Sequence, residues 1–332
     1  MIPSPKEQRI PSVENLFKIA LIVSLLLVSF YLTDLGIRLF TASSLPAWVG
    51  FSLKLVAAVW HSILILSLGI LGHEAVHRVL FRSSFRNDLA GGLLLALGLV
   101  PFYAHRQFHL THHVYAHEQG RDPENPMHDR PFWTGFVGSF VGLKIHYRIF
   151  RNNLLRITDR RYTSRVLKDT LFMTSGATVY FWLVPLSGIS LDNTVIPMAI
   201  VFPVVNWWRA VSDHYGIPPI KPSVQKQEDV IDVDEAALQY DREKSQREIT
   251  GWVILTHPWF EWLWSHVNYH EVHHKYPWLS HRYLPRAFTE TRYIQPYLVV
   301  KGYWRSFFNL SKLHYYGKRD DVLKFLTIKN FW

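Results

Sequence analysis

The chain has 332 residues, 48% of them hydrophobic and 15% aromatic, with mean hydropathy near zero and a formal net charge of +10. The absence of cysteine excludes disulfides, thiolate-bound metals and cysteine-ligated iron–sulfur clusters. The positive charges flank apolar blocks instead of forming one basic face, so the expected counterpart is an anionic lipid surface or an acidic protein, not nucleic acid.

Residues 1–14 (MIPSPKEQRIPSVE) are polar and proline-bearing and read as an N-terminal tail. Residues 15–41 hold an apolar run long enough to cross ~30 Å of hydrocarbon. The run is too long for a signal peptide and lacks a small-residue cleavage site. After TASSLP, residues 47–72 form a second span, interrupted only by Lys54 and His61, which delivers His73 and His77 at its far end. Residues 88–104 (DLAGGLLLALGLVPFYA) are apolar but short of the roughly 20 residues a crossing helix needs. They are expected to dip partway and return the chain to the side it left.

The stretch HRQFHLTHHVYAH (105–117) follows, then the polar, proline-rich QGRDPENPMHDRP. Residues 132–143 (FWTGFVGSFVGL) are again too short to cross. From Lys144 to Lys168 there are eight Lys or Arg, the pattern of a loop that stays cytoplasmic. Residues 170–190 are expected as a third span. Residues 194–208 form a shorter fourth one, closed by the Trp207–Trp208 pair of an interface belt. The connections at 41–46 and around Asp192 carry no Lys or Arg, which agrees with that orientation.

The expected fold is therefore an all-α integral membrane domain over residues 15–310. It has about four transmembrane helices in two hairpins and a cytoplasmic helical cap, with both termini cytoplasmic. Residues 221–248 read as charged and soluble. The stretch around KGYWRSFF suits a membrane surface, and 311–332 reads as a C-terminal tail.

Three histidine clusters stand out: His73-x-x-x-His77, His109-x-x-His112-His113 and His270-x-x-His273-His274. Offsets of three and four place imidazoles on one helical face. A single His-x-x-His-His is unremarkable in a chain with 18 histidines, but two copies beside a His-x-x-x-His, all on one predicted side, are not. Eight imidazoles exceed the needs of a four-coordinate zinc. They suit two metals with open positions, and nitrogen-rich, thiolate-free sites fit iron, copper or nickel.

HEAVH, HLTHH and HEVHH resemble the three histidine boxes of the membrane fatty acid desaturase superfamily, which also contains carotenoid hydroxylases and ketolases. The similarity covers about residues 50–290 and includes the box order and the interleaved apolar hairpins. It implies a non-haem enzyme that uses O₂ and two iron ions (Fe2+/Fe3+). The resemblance carries His73, His77, His109, His112, His113, His270, His273 and His274 over as ligands and catalytic centre. It also implies a further histidine after the last span, for which His214 in WWRAVSDHYG is the candidate, with Asp213 or Asn206 as its support. His105 and His117 flank the middle box. Glu74, Glu271, Asp122 and Glu124 are candidates to orient an imidazole.

The reaction this resemblance favours is desaturation of a fatty acyl or lipid chain drawn from the bilayer. A carotenoid hydroxylase or ketolase is the alternative, because HEAVHR and the RDPEN loop suit that branch too. No flavin or nicotinamide fingerprint is present, so electrons are expected from an external, acidic, ferredoxin-like donor steered by residues 144–168. HEAVH also matches His-Glu-x-x-His, the signature of zinc metalloproteases. An intramembrane protease would take its further ligand from an aspartate in a later span. No later span has one, and the duplicated His-x-x-His-His would be left without a purpose. A metal carrier would place its ligands within the spans.

Overall fold

Apolar residues on every side of a long helix mark a segment that meets lipid or other helices all round. The computed structural model, which describes residues 2–4, 7–43, 46–128, 130–217 and 249–312, begins with two such helices. These are α1 (Ser12–Thr41) and α2 (Ala47–Val76), each of 30 residues. With the run Leu191–Val211 they are the three helices among the described residues that are long and apolar enough to cross a membrane. Most of that third run belongs to α9 (Val195–His214). Helix α2 is the central one, packed between α1, α9 and the short α3 (Ser84–Ala96).

Helix α3 has 13 residues, too few to cross, as the short 88–104 run predicted. The paired glycines explain its position. A Cβ on Gly91 would collide with the Phe102 ring and one on Gly92 with the Phe172 ring, so bare backbone lets α3 lie close to both neighbours. A turn through Leu99, in the left-handed region at φ 56°, leads to α4 (Phe102–Tyr115). The Asp169 carboxylate accepts the amides of Tyr103 at 2.8 Å and Ala104 at 3.2 Å, satisfying donors that a helix N-terminus leaves open.

Three expectations meet a different local structure. After the single turn α5 (Asn125–His128), the basic stretch 144–168, expected as a loop, is largely helical: α6 (Val137–Leu155) and α7 (Arg160–Thr178), joined by a short turn. Its charges hid an amphipathic pattern. Gly138, Gly142, His146, Ile149 and Asn153 recur every three or four residues and form the buried face. Secondly, residues 170–190 are not among the three qualifying helices. They are the end of α7 continued through a π-helical turn, Val179–Leu183, into α8 (Val184–Leu186). Thirdly, the chain is not wholly α-helical. The β-branched run β1 (Trp252–Leu255) pairs in parallel with β2 (Leu298–Lys301), Trp252 opposite Leu298.

The first residues are pinned to the last third of the chain. The Ser280 amide donates to Gln8 Oε1 at 2.9 Å, and the Arg9 amide donates to the Tyr283 hydroxyl at 3.1 Å. Within α1, Asn15 donates to the Leu80 carbonyl and accepts from His281, while Lys18 donates to Ser265 Oγ at 2.8 Å. The KGYWRSFF stretch forms the helix Tyr303–Leu310, which leaves Trp304 and Phe308 exposed beside Arg305. The stretch 221–248 and most of the 311–332 tail lie outside the described residues.

Candidate metal centre

Four elements converge at one end of α2. His73 lies in its last turn and His77 caps it, one turn apart on one face. Helix α4 presents His109, His112 and His113, α9 ends on His214, and the short helix His270–Lys275 carries the last box. All nine histidines are buried except His73, which is half-buried.

The nine side chains sort into two groups. In the first, one nitrogen from each of His73, His77, His109, His113 and His273 lies within 4.8 Å of all the others. His109 Nε2 is 2.7 Å from that of His73 and 2.9 Å from those of His77 and His113, and His113 is 3.1 Å from His273. In the second, His112, His214 and His274 meet the same criterion. His112 Nε2 is 3.1 Å from His214 and 3.4 Å from His274. His270 joins at the edge, 2.8 Å from His214 and 3.2 Å from His274. Consecutive residues thus part company: His112 and His113 serve different groups, as do His273 and His274. A step of one residue turns a helix by about 100°, so adjacent side chains address separate centres.

Nitrogens facing nitrogens at these distances fit a cation better than a proton network. A neutral imidazole has one N–H and one lone pair, and five converging rings cannot all find complementary partners through single protons. A metal ion accepts every lone pair at once. The protonation pattern agrees. His214 Nδ1–H donates to the Thr250 carbonyl at 2.7 Å, and a carbonyl can only accept, so the lone pair is on Nε2, facing the group. His112 Nδ1–H likewise donates to Asp122 Oδ1 at 2.9 Å. Burial, followed by the neighbouring imidazoles, holds His109, His113, His214, His270 and His274 well below the usual histidine range. Burial pushes His273 down to about 3. The neutral ring is the form that binds metal.

The surroundings of the two groups differ. In the first, the Nδ1 atoms of His73, His77, His113 and His273 are buried and meet no hydrogen-bond partner among the described residues. In the second, His112 and His214 are tethered, while His270 Nδ1 is likewise buried with no partner among the described residues. Asp122 holds His112 and also accepts the His117 amide at 2.7 Å and the Glu124 amide at 2.8 Å. His117 donates from Nε2 to the Thr250 carbonyl at 2.8 Å, so that carbonyl serves two histidines. Thr250 in turn donates its amide and hydroxyl to Glu271 Oε2, at 2.9 and 3.1 Å, and Glu271 Oε1 pairs with Lys275 at 3.1 Å.

Other expected residues are placed as follows. His105 joins neither group: its Nδ1 lies 2.9 Å from Nε2 of His146, which reading the sequence missed. Glu74 accepts the amide of His281 at 3.0 Å and so ties the first box to residue 281. The supports proposed for His214 are corrected. Asp213 pairs with Arg209 at 2.7 Å, and Asn206, two turns away, donates to Ser139, so the Thr250 carbonyl holds His214 instead. A main-chain carbonyl leaves no mark in a sequence. His128 was also missed, although its spacing of four from Glu124 was visible: its Nε2 lies 3.4 Å from Glu124 Oε1.

A helical chain with three apolar helices of crossing length and two histidine clusters, with His270 at the edge of the second, has an architecture compatible with a metal centre at a membrane. The family model of fatty acid desaturases matches residues 44–306, and the chain belongs to that family, whose members are di-iron oxidoreductases. The match extends beyond residues 50–290 at both ends. No curated protein matches the chain.

Proposed function

We propose that this chain is a membrane-bound, O₂-dependent acyl desaturase. One iron is held by His73, His77, His109, His113 and His273, and a second by His112, His214, His270 and His274. The observation that carries this reading is that eight histidines, His214 among them, gather into two groups, with His270 at the edge of the second, in a desaturase-family chain. When bound, the irons supply the oxygen and electron chemistry. The protein supplies neutral, pre-oriented nitrogens, a water-poor surrounding and a fixed position for the carbon to be oxidised.

The substrate is the acyl chain of a fatty acid or lipid taken from the bilayer. Supporting this are the exposed apolar faces of α1 and α2 and of the α7–α8 run, where Leu171, Phe181, Trp182, Leu183 and Leu186 face outward. On this reading the α7–α8 run completes a fourth crossing, and the basic residues set the metal centre and both termini on the cytoplasmic side. A groove between α6 and α9, lined by Met127, Gly138, Ser139, Trp207 and Val211, also borders His128, whose ring is 5.3 Å from that of His214. It offers a route to the centre. Electrons come from an acidic, ferredoxin-like donor that docks on exposed Lys144, Arg148, Arg151, Arg156, Arg160 and Lys168.

The test is expression in a host of defined lipid and carotenoid content, followed by mass analysis of products. New double bonds in acyl chains support the reading. An unchanged acyl profile with oxygenated carotenoids overturns the substrate, and a purified protein holding one zinc and no iron overturns the chemistry.

A further inference from the structure

We propose that Glu124 is itself a metal ligand of the second group, so that the two metal positions differ in donor chemistry. One has five imidazoles; the other has four imidazoles and a carboxylate. The inference rests on the di-iron reading above.

Glu124 Oε2 lies 3.2 Å from His112 Nε2. That nitrogen also faces His214 and His274, while the ring's proton is engaged on the other side by Asp122. In the neutral ring, a carboxylate oxygen therefore confronts a lone pair. Two acceptors at that distance repel unless a cation lies between them. Protonating His112 would relieve the contact only by placing a cationic ring against His214 and His274 in a buried site. A metal ion beside His112 answers the lone pair and the carboxylate together. Glu124 meets the group at His112, as His270 meets it at His214 and His274.

The position of the carboxylate is fixed. The Glu124 amide donates to Asp122 Oδ1, the oxygen that also accepts from His112, so one carboxylate sets ring and main chain together. The second oxygen, Oε1, faces His128 Nε2 at 3.4 Å, one turn further on. One oxygen is thus directed to the group and one to a supporting histidine, the arrangement of a single-oxygen ligand. Among the described residues the distance that gathers the histidines takes in no carboxylate; Glu124 reaches the second group through His112 alone, and the first group has no carboxylate contact of that kind. The asymmetry has an electrostatic reason. Nine neutral rings leave the charge of two divalent ions uncompensated in a buried site, and one anionic ligand reduces it. A carboxylate is also a harder donor than imidazole and favours the higher oxidation state of iron, so the second iron is the more easily oxidised.

The test is Mössbauer spectroscopy with metal analysis on the full chain loaded with ⁵⁷Fe(II), comparing wild type with Glu124→Gln. The expected result is two doublets of equal area in the wild type. In the variant one doublet shifts or is lost, with iron falling toward half, while the other is unchanged. Survival of that second doublet also reports that the fold is intact. Spectra and iron content identical to wild type overturn the inference and leave the di-iron reading standing. Failure of the wild type to retain iron at all overturns the di-iron reading instead. Should Glu124→Gln not accumulate, Glu124→Asp keeps the charge but shortens the reach. A shift confined to one doublet supports the inference, and an unchanged spectrum refutes it.

Discussion

His214 donates from Nδ1 to the carbonyl of Thr250 at 2.7 Å, which fixes the end of α9 to the approach to β1 and aims its free nitrogen at the second group. No side-chain substitution removes that carbonyl, so the histidine is the testable partner. His214→Ala is expected to lower iron from about two per chain to about one and to abolish product formation, because a site that loses a nitrogen donor would bind its metal less tightly. Full iron content in a folded variant would remove His214 from the ligand set.

Asp122 should govern retention of that same metal. Asp122→Asn keeps the shape but removes the charge-assisted bond to His112 Nδ1, and it weakens metal retention by about 10–100-fold. Competition with a chelator, followed over time, measures this. The loss should be confined to half of the bound iron.

The Glu271–Lys275 pair is completely buried behind the last box. Lys275→Met leaves the carboxylate without its cation and should cost about 3–5 kcal/mol, read as a lowered unfolding temperature in detergent. An unchanged unfolding temperature would show that Thr250 alone suffices to hold Glu271.

Acid should destabilise the protein through its buried imidazoles. Burial holds His117 down to about 4, below its ordinary 6.5. A depressed histidine contributes stability that is present above the unfolded value and is lost as pH falls from there through the folded one. The unfolding temperature should therefore decline as pH drops from about 6.5 to 4, and His117→Gln should flatten that decline. Equal slopes for variant and wild type would count against the assignment.

Reversing the exposed charges Arg148 and Arg151 to Glu should slow turnover supported by an acidic donor by about 10-fold at low salt, with the difference shrinking as salt is added. Turnover driven by a small neutral reductant should be unaffected. If both fall together, these helices are structural and do not form the docking face.

The histidine boxes were legible because their spacing is local: His109, His112 and His113 share one helix, and helical offsets determine the face they occupy. The long spans were legible for the same reason, since α1 and α2 need no partner to be recognised by length and composition. The partition of the boxes was not. That His112 and His113 serve different groups depends on where α9 and residues 270–274 arrive, and no short window contains that information. Helices α6 and α7 were hidden by their charges, which lie on outward faces around a narrow buried stripe. The β1–β2 pair joins residues 46 apart through a ribbon of four residues on each side, below the length at which alternation can be read.

The order of the ligands along the chain has a consequence for biogenesis. The first group draws four of its five histidines from residues 73–113 and the fifth from residue 273; the second spans residues 112 to 274. Neither can be completed on the ribosome until nearly the whole membrane domain has been synthesised and inserted. On the di-iron reading, metal loading is therefore a late step of maturation. A chain truncated before residue 273 would present imidazoles enough to capture stray copper or zinc, but no finished site for iron.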